Sequence, residues 1–239
     1  MQRVVSRLGW IVALTAAAVP VLAAGEVTIA FKPHPGALRY HSEQTVNAQG
    51  MEIKVTRNYK TSIKSVKPTG EAEVEETTEN GQVTVMGQSM DLPASGATTV
   101  TLDRLGKLVE FSPAAGGITT PEVARLMAEM GNVVFPAAAV AEGAEWTTEY
   151  TNPAVEGKKV QVKTKFLGME KLDGKDAVKL KQGGAADVPD GKTVEGEATY
   201  WLDPATGNML KYEVTVKGLP TMFGYLDIKG MTTVVPDAK

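Results

Sequence analysis

The stretch Met51-Glu52-Ile53-Lys54-Val55-Thr56 alternates apolar and polar side chains residue by residue. Successive side chains of an extended chain point to opposite faces, so a period of two marks a strand with one dry face and one wet face. Its surroundings have the same character. Leu38 to Ala48, Met51 to Val66 and Glu71 to Met86 are rich in Thr, Val, Ile and Tyr, and Gly50, Pro68-Thr69-Gly70 and Asn80-Gly81 punctuate them. Glu71, Glu73 and Glu75 share one strand face and Ala72 and Val74 the other, so the acid run reads as a solvated outer face. A second set of strands is expected at Trp146 to Thr151, Lys158 to Met169, Asp176 to Gln182, Val194 to Leu202, Met209 to Lys217 and about Phe223 to Val235.

One segment has helical signals. Thr120 suits an N-cap, Pro121 the first helical position and Gly131 a stop, which predicts a helix over 121–130. Val123, Leu126, Met127 and Met130 form its apolar stripe. Ten residues span about 15 Å, too short to cover a long sheet, so the helix is expected to plug one end and leave a groove at the other.

The two strand sets share a pattern. Lys60-Thr61-Ser62-Ile63, Gly70 and Val74 parallel Lys163-Thr164-Lys165-Phe166, Gly174 and Val178; Thr99-Val100-Thr101-Leu102-Asp103 parallels Thr199-Tyr200-Trp201-Leu202-Asp203. After each Leu-Asp comes a turn with a glycine, Gly106 or Gly207, and then an apolar return strand. The expected domain is therefore a single β-rich unit over 25–239, with repeat-like halves 38–111 and 146–235 and the helix in the crossover.

Residues 1–24 have the grammar of a cleavable export signal: Arg3 and Arg7, an apolar run from Leu8 to Val19, a break at Pro20, and small residues at Ala23 and Ala24. The apolar run of about 12 residues is short for a membrane span, which needs about 20. The protein is expected to be periplasmic or secreted and soluble after cleavage. Cysteine is absent, which removes disulfides, thiolate metal sites and lipidated cysteine. Without Arg3 and Arg7 the chain carries 23 basic against 28 acidic residues, a net charge of −5. No basic stripe with interleaved aromatics points to nucleic acid.

No constellation names a reaction. Gly191-Lys192-Thr193 lacks the upstream glycine of a phosphate loop, because residue 186 is Ala186. His41 and Glu43 share a strand face but have no third ligand nearby, and the serines have no nucleophile-elbow context. The methionines are scattered and read as fillers of apolar space rather than as copper ligands. Trp201 shares a face with Glu197 and Thr199, opposite Ala198, Tyr200 and Leu202, and is either covered on both sides of the sheet or an exposed contact residue.

The crossover carries Phe135-Pro136, Val140, Gly143 and Trp146, the pattern F-P-x3-V-x2-G-x2-W. With the paired Leu-Asp-turn-Gly hairpins it resembles an uncharacterised family of bacterial exported proteins, distantly similar to the periplasmic lipoprotein-carrier (LolA-like) half-barrels. The resemblance implies a mainly β fold: a strongly curved antiparallel sheet, a half-barrel, with an apolar concave face partly covered by helix. The expected function is non-catalytic, with no cofactor and no metal. An apolar ligand, a lipid or acyl chain, would bind in the concave face, with Val123, Leu126, Met127, Met130 and Trp201 as its candidate contacts. The alternative is a structural or protein-interaction module of the cell envelope without a small ligand.

Overall fold

The alternating stretch at 51–56 opens a strand of sixteen residues, and its neighbours pair with it almost without interruption. The computed structural model describes residues 25–94 and 96–235; the export signal expected over 1–24 lies outside them. In chain order the strands are β1 (Glu26–Val27), β2 (Gly36–Ala48), β3 (Met51–Val66), β4 (Ala72–Val85), β5 (Gln88–Leu92), β6 (Thr98–Leu102) and β7 (Leu108–Ser112). The helix α1 (Pro121–Gly131) follows, then β8 (Val140–Ala141), β9 (Glu145–Thr151), β10 (Lys159–Leu172), β11 (Lys175–Val188), β12 (Lys192–Leu202), β13 (Met209–Thr221) and β14 (Gly224–Val235).

Twelve strands form one antiparallel sheet in the order β7-β6-β4-β3-β2-β14-β13-β12-β11-β10-β9, with β5 folded back on β4; β1 and β8 pair separately. Strands of the first half lie on one side, those of the second on the other, and β2 meets β14 in the middle. The sheet curves strongly but does not close into a barrel. Its two edges nevertheless approach each other. Lys107, just before β7, donates from Nζ to the Glu149 carbonyl of β9 at 3.3 Å, and Arg125 of α1 donates to the Val109 carbonyl of β7 at 3.3 Å. Cationic side chains thus occupy carbonyls that an open sheet edge would leave free to recruit another strand.

The helix forms where the sequence places it. Thr120 caps it, its hydroxyl accepting from Val123 N at 3.4 Å, and the chain turns extended at Asn132. Gly131 is the last helical residue rather than the first beyond the helix. Val123, Leu126 and Met130 enter a core of Tyr150, Val160, Val162, Val188, Val194 and Val216, contributed by β9 to β13. The helix therefore covers the second half of the sheet. A neighbouring core of Phe166, Val178, Leu180, Tyr200 and Leu202 is closed by Ile29, Val133 and Phe135 from the segments before β2 and after α1.

The Gly/Asp/Pro-rich stretch between the strands expected at Asp176 to Gln182 and Val194 to Leu202 is mostly strand. β11 runs through Gly183 and Gly184 to Val188, and only Pro189–Gly191 turns. Ladders to β10 and β12 on both sides outweigh the poor strand propensity of those residues. Opposite Gly184 stands Gly196, over which Met130 Cε packs.

The two Leu-Asp turns use similar hydrogen bonds in loops that differ by one residue, closed by Asp103 N to the Lys107 carbonyl and by Asp203 N to the Asn208 carbonyl. Asp103 Oδ1 accepts from Leu105 N and Lys107 N at 2.8 Å each; Asp203 Oδ1 accepts from Ala205 N at 2.7 Å and Thr206 N at 3.1 Å. Gly106 N and Gly207 N return to the carbonyls of Asp103 and Asp203 at 2.9 and 2.8 Å. Both glycines have positive φ, and Phe135 lies against both: a Cβ at either position would come within 3.2 Å of its ring. Trp146 donates from Nε1 to the Val134 carbonyl at 2.7 Å, holding the same segment to β9. The pattern F-P-x3-V-x2-G-x2-W thus marks a clasp at which the two turns meet.

Candidate functional site: a groove on the concave face

Strand alternation assigns the inner face. On β3 it presents Val55, Arg57, Tyr59, Thr61 and Ile63; on β4, Val74 and Glu76; on β6, Val100 and Leu102. These positions pair with one another across the ladder, Thr61 with Glu76 and Glu76 with Thr98. Because α1 lies over the second half, this part of the face is left uncovered, and two contiguous cavities of about 340 and 440 Å³ form over it. They share Tyr59, Val74, Glu76, Val100, Leu102 and Met209. Phe31, Leu38 and Tyr40 line one end and Leu108, Phe111 and Met127 the other. The volumes lie in the range of small-molecule sites, roughly 300–1,000 Å³.

Aromatic rings shape the floor. Tyr40 and Tyr59 stack at 5.2 Å between centroids, and Tyr40 donates to the Met209 carbonyl at 3.1 Å. Tyr200 and Tyr212 lie 4.9 Å apart, and Tyr200 donates to the Gly131 carbonyl at the end of α1. Burial, more than any neighbouring charge, pushes the phenols of Tyr40 and Tyr59 far above their ordinary range and that of Tyr212 to about 12, so all three remain neutral donors. Ser42 and Thr232 are buried and satisfy each other at 3.0 Å.

Two charged residues interrupt this lining. Glu76 is half-buried; desolvation raises its pKa, and the Arg57 charge opposes that rise without cancelling it. The Arg57 guanidinium lies 5.3 Å from the centre of the Tyr59 ring, and its Nε is shielded from solvent with no hydrogen-bond partner. The ion pairs of the described residues leave Arg57 out, and Glu76 is not within 4.0 Å of it.

Of the residues expected to contact a ligand, the structure brings only Met127 to the groove. Val123, Leu126 and Met130 point into the core beneath the helix, where Leu126 has no exposed surface. The helix is held at its C-terminus, since Gln182 donates to the carbonyls of Met130 at 2.7 Å and Asn132 at 3.2 Å. Trp201 does not join the group. It lies on the opposite face of the sheet, paired across the ladder with Lys179 and Lys211, whose ammonium groups sit 4.9 and 4.6 Å from its ring centre. Its indole donates to Glu170, and only 6% of its surface is exposed. The even-numbered neighbours Tyr200 and Leu202 face inward, so the odd-numbered Trp201 must face out. The lining residues Arg57, Tyr59 and Glu76 escaped the sequence reading, although Arg57 occupies an apolar-parity position after Ile53 and Val55, and Glu76 one after Ala72 and Val74.

A larger open cleft of about 760 Å³ is bordered by Glu43, Lys54, Glu197, Glu213 and Lys229 and is a solvated, mixed-charge surface. The His41 imidazole is engaged by Asn58 at 2.8 Å and Glu43 at 3.3 Å. Among the described residues no three His, Asp or Glu side chains converge as a metal site, and no helix is long and apolar enough to cross a membrane.

No protein-family model matches the chain, and no curated protein matches it. Solved structures do. A candidate lipoprotein from Parabacteroides distasonis is 13% identical, covering 87% of this chain and 97% of its own, with a TM-score of 0.37. A candidate exported protein with a YmcC-like fold from Bacteroides fragilis is 13% identical with the same coverage and a TM-score of 0.32. A candidate outer-membrane lipoprotein-sorting domain from Vibrio parahaemolyticus is 7% identical, covers 86% of each chain and has a TM-score of 0.21. The chain is thus distantly similar to these structures, as expected, and nothing about fold, family or function is drawn from the likeness.

Proposed function

We propose that the protein is exported and binds an apolar ligand, a lipid or acyl chain, in the groove on its concave face, without catalysing a reaction. The observation that supports this is the uncovered first half of the inner face, where Tyr59, Val74, Val100, Leu102, Met127 and Met209 surround space of ligand size. Apolar side chains that line a groove gain about 25 cal/mol per Å² when a ligand chain covers them. The test is binding of the neutral apolar dye N-phenyl-1-naphthylamine to the processed protein, together with native mass spectrometry of protein from its own host. Saturable dye binding displaced by long-chain alcohols is expected; absence of any saturable binding would overturn the reading.

A second reading, an envelope interaction module, is favoured by a separate feature. Met51, Met86, Met222 and Phe223 are exposed. The register of β2, β3, β4 and β14 brings their turns to one end of the sheet, with Gly224 beside Gln49 and Val85 opposite Ile53. Such an apolar fringe suits contact with another envelope component.

A further inference from the structure

The groove contains one permanent charge, Arg57, that has no carboxylate within ion-pair distance among the described residues. Arg57 stands at an inward position of β3 between Val55 and Tyr59, with Ser42 on one side and Gly81 on the other. A guanidinium keeps its proton at any ordinary pH and carries five donors. Here Nε has neither solvent nor a protein acceptor, and no described carboxylate lies within ion-pair distance. One donor of this half-buried guanidinium is thus cut off from solvent without an acceptor, which costs free energy, and the Tyr59 ring beneath it offsets part of that cost. The groove is thus amphipathic: Arg57, Glu76 and tyrosine hydroxyls at its floor, and Val74, Val100, Leu102, Phe111 and Met127 along its length.

We infer that the ligand is a single-chain amphiphile with a carboxylate head, a long-chain fatty acid, whose carboxylate takes the Arg57 guanidinium while its chain lies along Val100, Leu102 and Met127. The inference rests on the reading of the groove as an apolar-ligand site and adds the head group. The guanidinium fork matches the two oxygens of a carboxylate with paired hydrogen bonds. Glu76 lines the same cavity and narrows the choice, because a second negative charge on the head group would meet its carboxyl unfavourably. A dianionic phosphate would meet the same acid less favourably. The neutral phenols of Tyr59 and Tyr212 add donors on the same floor.

The experiment uses the full processed protein, delipidated, with the fluorescent polyene cis-parinaric acid as probe and two competitors of equal chain length, palmitic acid and 1-hexadecanol. The expected result is that palmitate displaces the probe at least tenfold more tightly than hexadecanol. Arg57→Gln should erase that preference, weakening palmitate tenfold or more and leaving hexadecanol within about twofold. In parallel, the carboxyl of bound [1-13C]palmitate is titrated by NMR in the unaltered protein, a measurement that stands even where Arg57→Gln fails to fold. A carboxyl that stays ionised to lower pH than in free fatty acid supports the pairing. Equal affinity for acid and alcohol, or a carboxyl that titrates at or above its free value, overturns the head-group assignment and leaves the apolar groove standing. Failure of both competitors and of the neutral dye overturns the groove reading itself.

Discussion

One helix presents two faces with different jobs, and a pair of truncations separates them. Leu126 has no exposed surface and packs among Val123, Met130 and the valines of β10 to β12, while Met127, one residue on, is half-buried and lines the groove. Leu126→Ala removes three carbons from a site with the sheet on one side and helix backbone on the other, so little collapse is available. Core truncations of this kind cost about 2–5 kcal/mol, and the rigid surroundings place this one near 3–4 kcal/mol. For a domain of this size each kcal/mol lowers Tm by about 2–4 °C, so a fall of roughly 10 °C is expected. Met127→Ala trims a half-buried side chain that borders both this core and the groove, so it should cost about 1–2 kcal/mol, yet weaken dye binding severalfold. Urea unfolding followed by tryptophan fluorescence and circular dichroism reads the first quantity, with an unchanged m-value showing that the denatured state is unaltered. Equal destabilisation by the two changes, or a loss below 1 kcal/mol for Leu126→Ala, would refute the assignment of faces.

Further expectations follow from the turns, the buried acid and the leader. Asp103→Ala and Asp203→Ala each remove an acceptor of two backbone N–H groups and should each cost about 1–2 kcal/mol; costs differing by more than about 2 kcal/mol would count against the proposed duplication. Gly207→Ala must hold φ at 76° with a Cβ only 2.6 Å from the Ala30 carbonyl, so a loss of about 1–3 kcal/mol in thermal unfolding is expected, and a neutral outcome would remove the clasp around Phe135. Glu76 has a folded pKa above its unfolded one, so the native state binds more protons and stability falls as pH rises from the unfolded pKa through the folded one. Glu76→Gln should therefore raise Tm at pH 7 and lose that advantage as pH falls below the usual carboxylate range; a gain that grows at low pH would contradict the sign. Mass analysis of exported protein should find its first residue at Ala24 or Gly25, and an intact Met1 would argue for an uncleaved leader.

What the sequence by itself determined is local. Alternation of period two at 51–56 and its neighbours specifies strands, because each residue's face depends only on its parity. Thr120, Pro121 and the 3.6-residue stripe specify the helix, because caps act within one turn. Asp103 and Asp203 specify similar turns, because each side chain bonds amides two to four residues on. The tertiary structure decided everything that depends on which strands meet. Gly183 and Gly184 are poor strand formers and are held in β11 only because β10 and β12 flank it. Which half of the sheet the helix covers is invisible in its stripe, since either half offers an apolar face. That choice buries Val123, Leu126 and Met130 and leaves Met127 at the groove. Trp201 looked like a contact residue because a large ring on a strand has no face until parity is tied to a neighbour; the ladder turned it outward between two lysines. Arg57 and Glu76 were legible as charges at apolar parity, but separate strands carry them. Only the pairing of β3 with β4, and the helix's absence above them, places both on the floor of one groove.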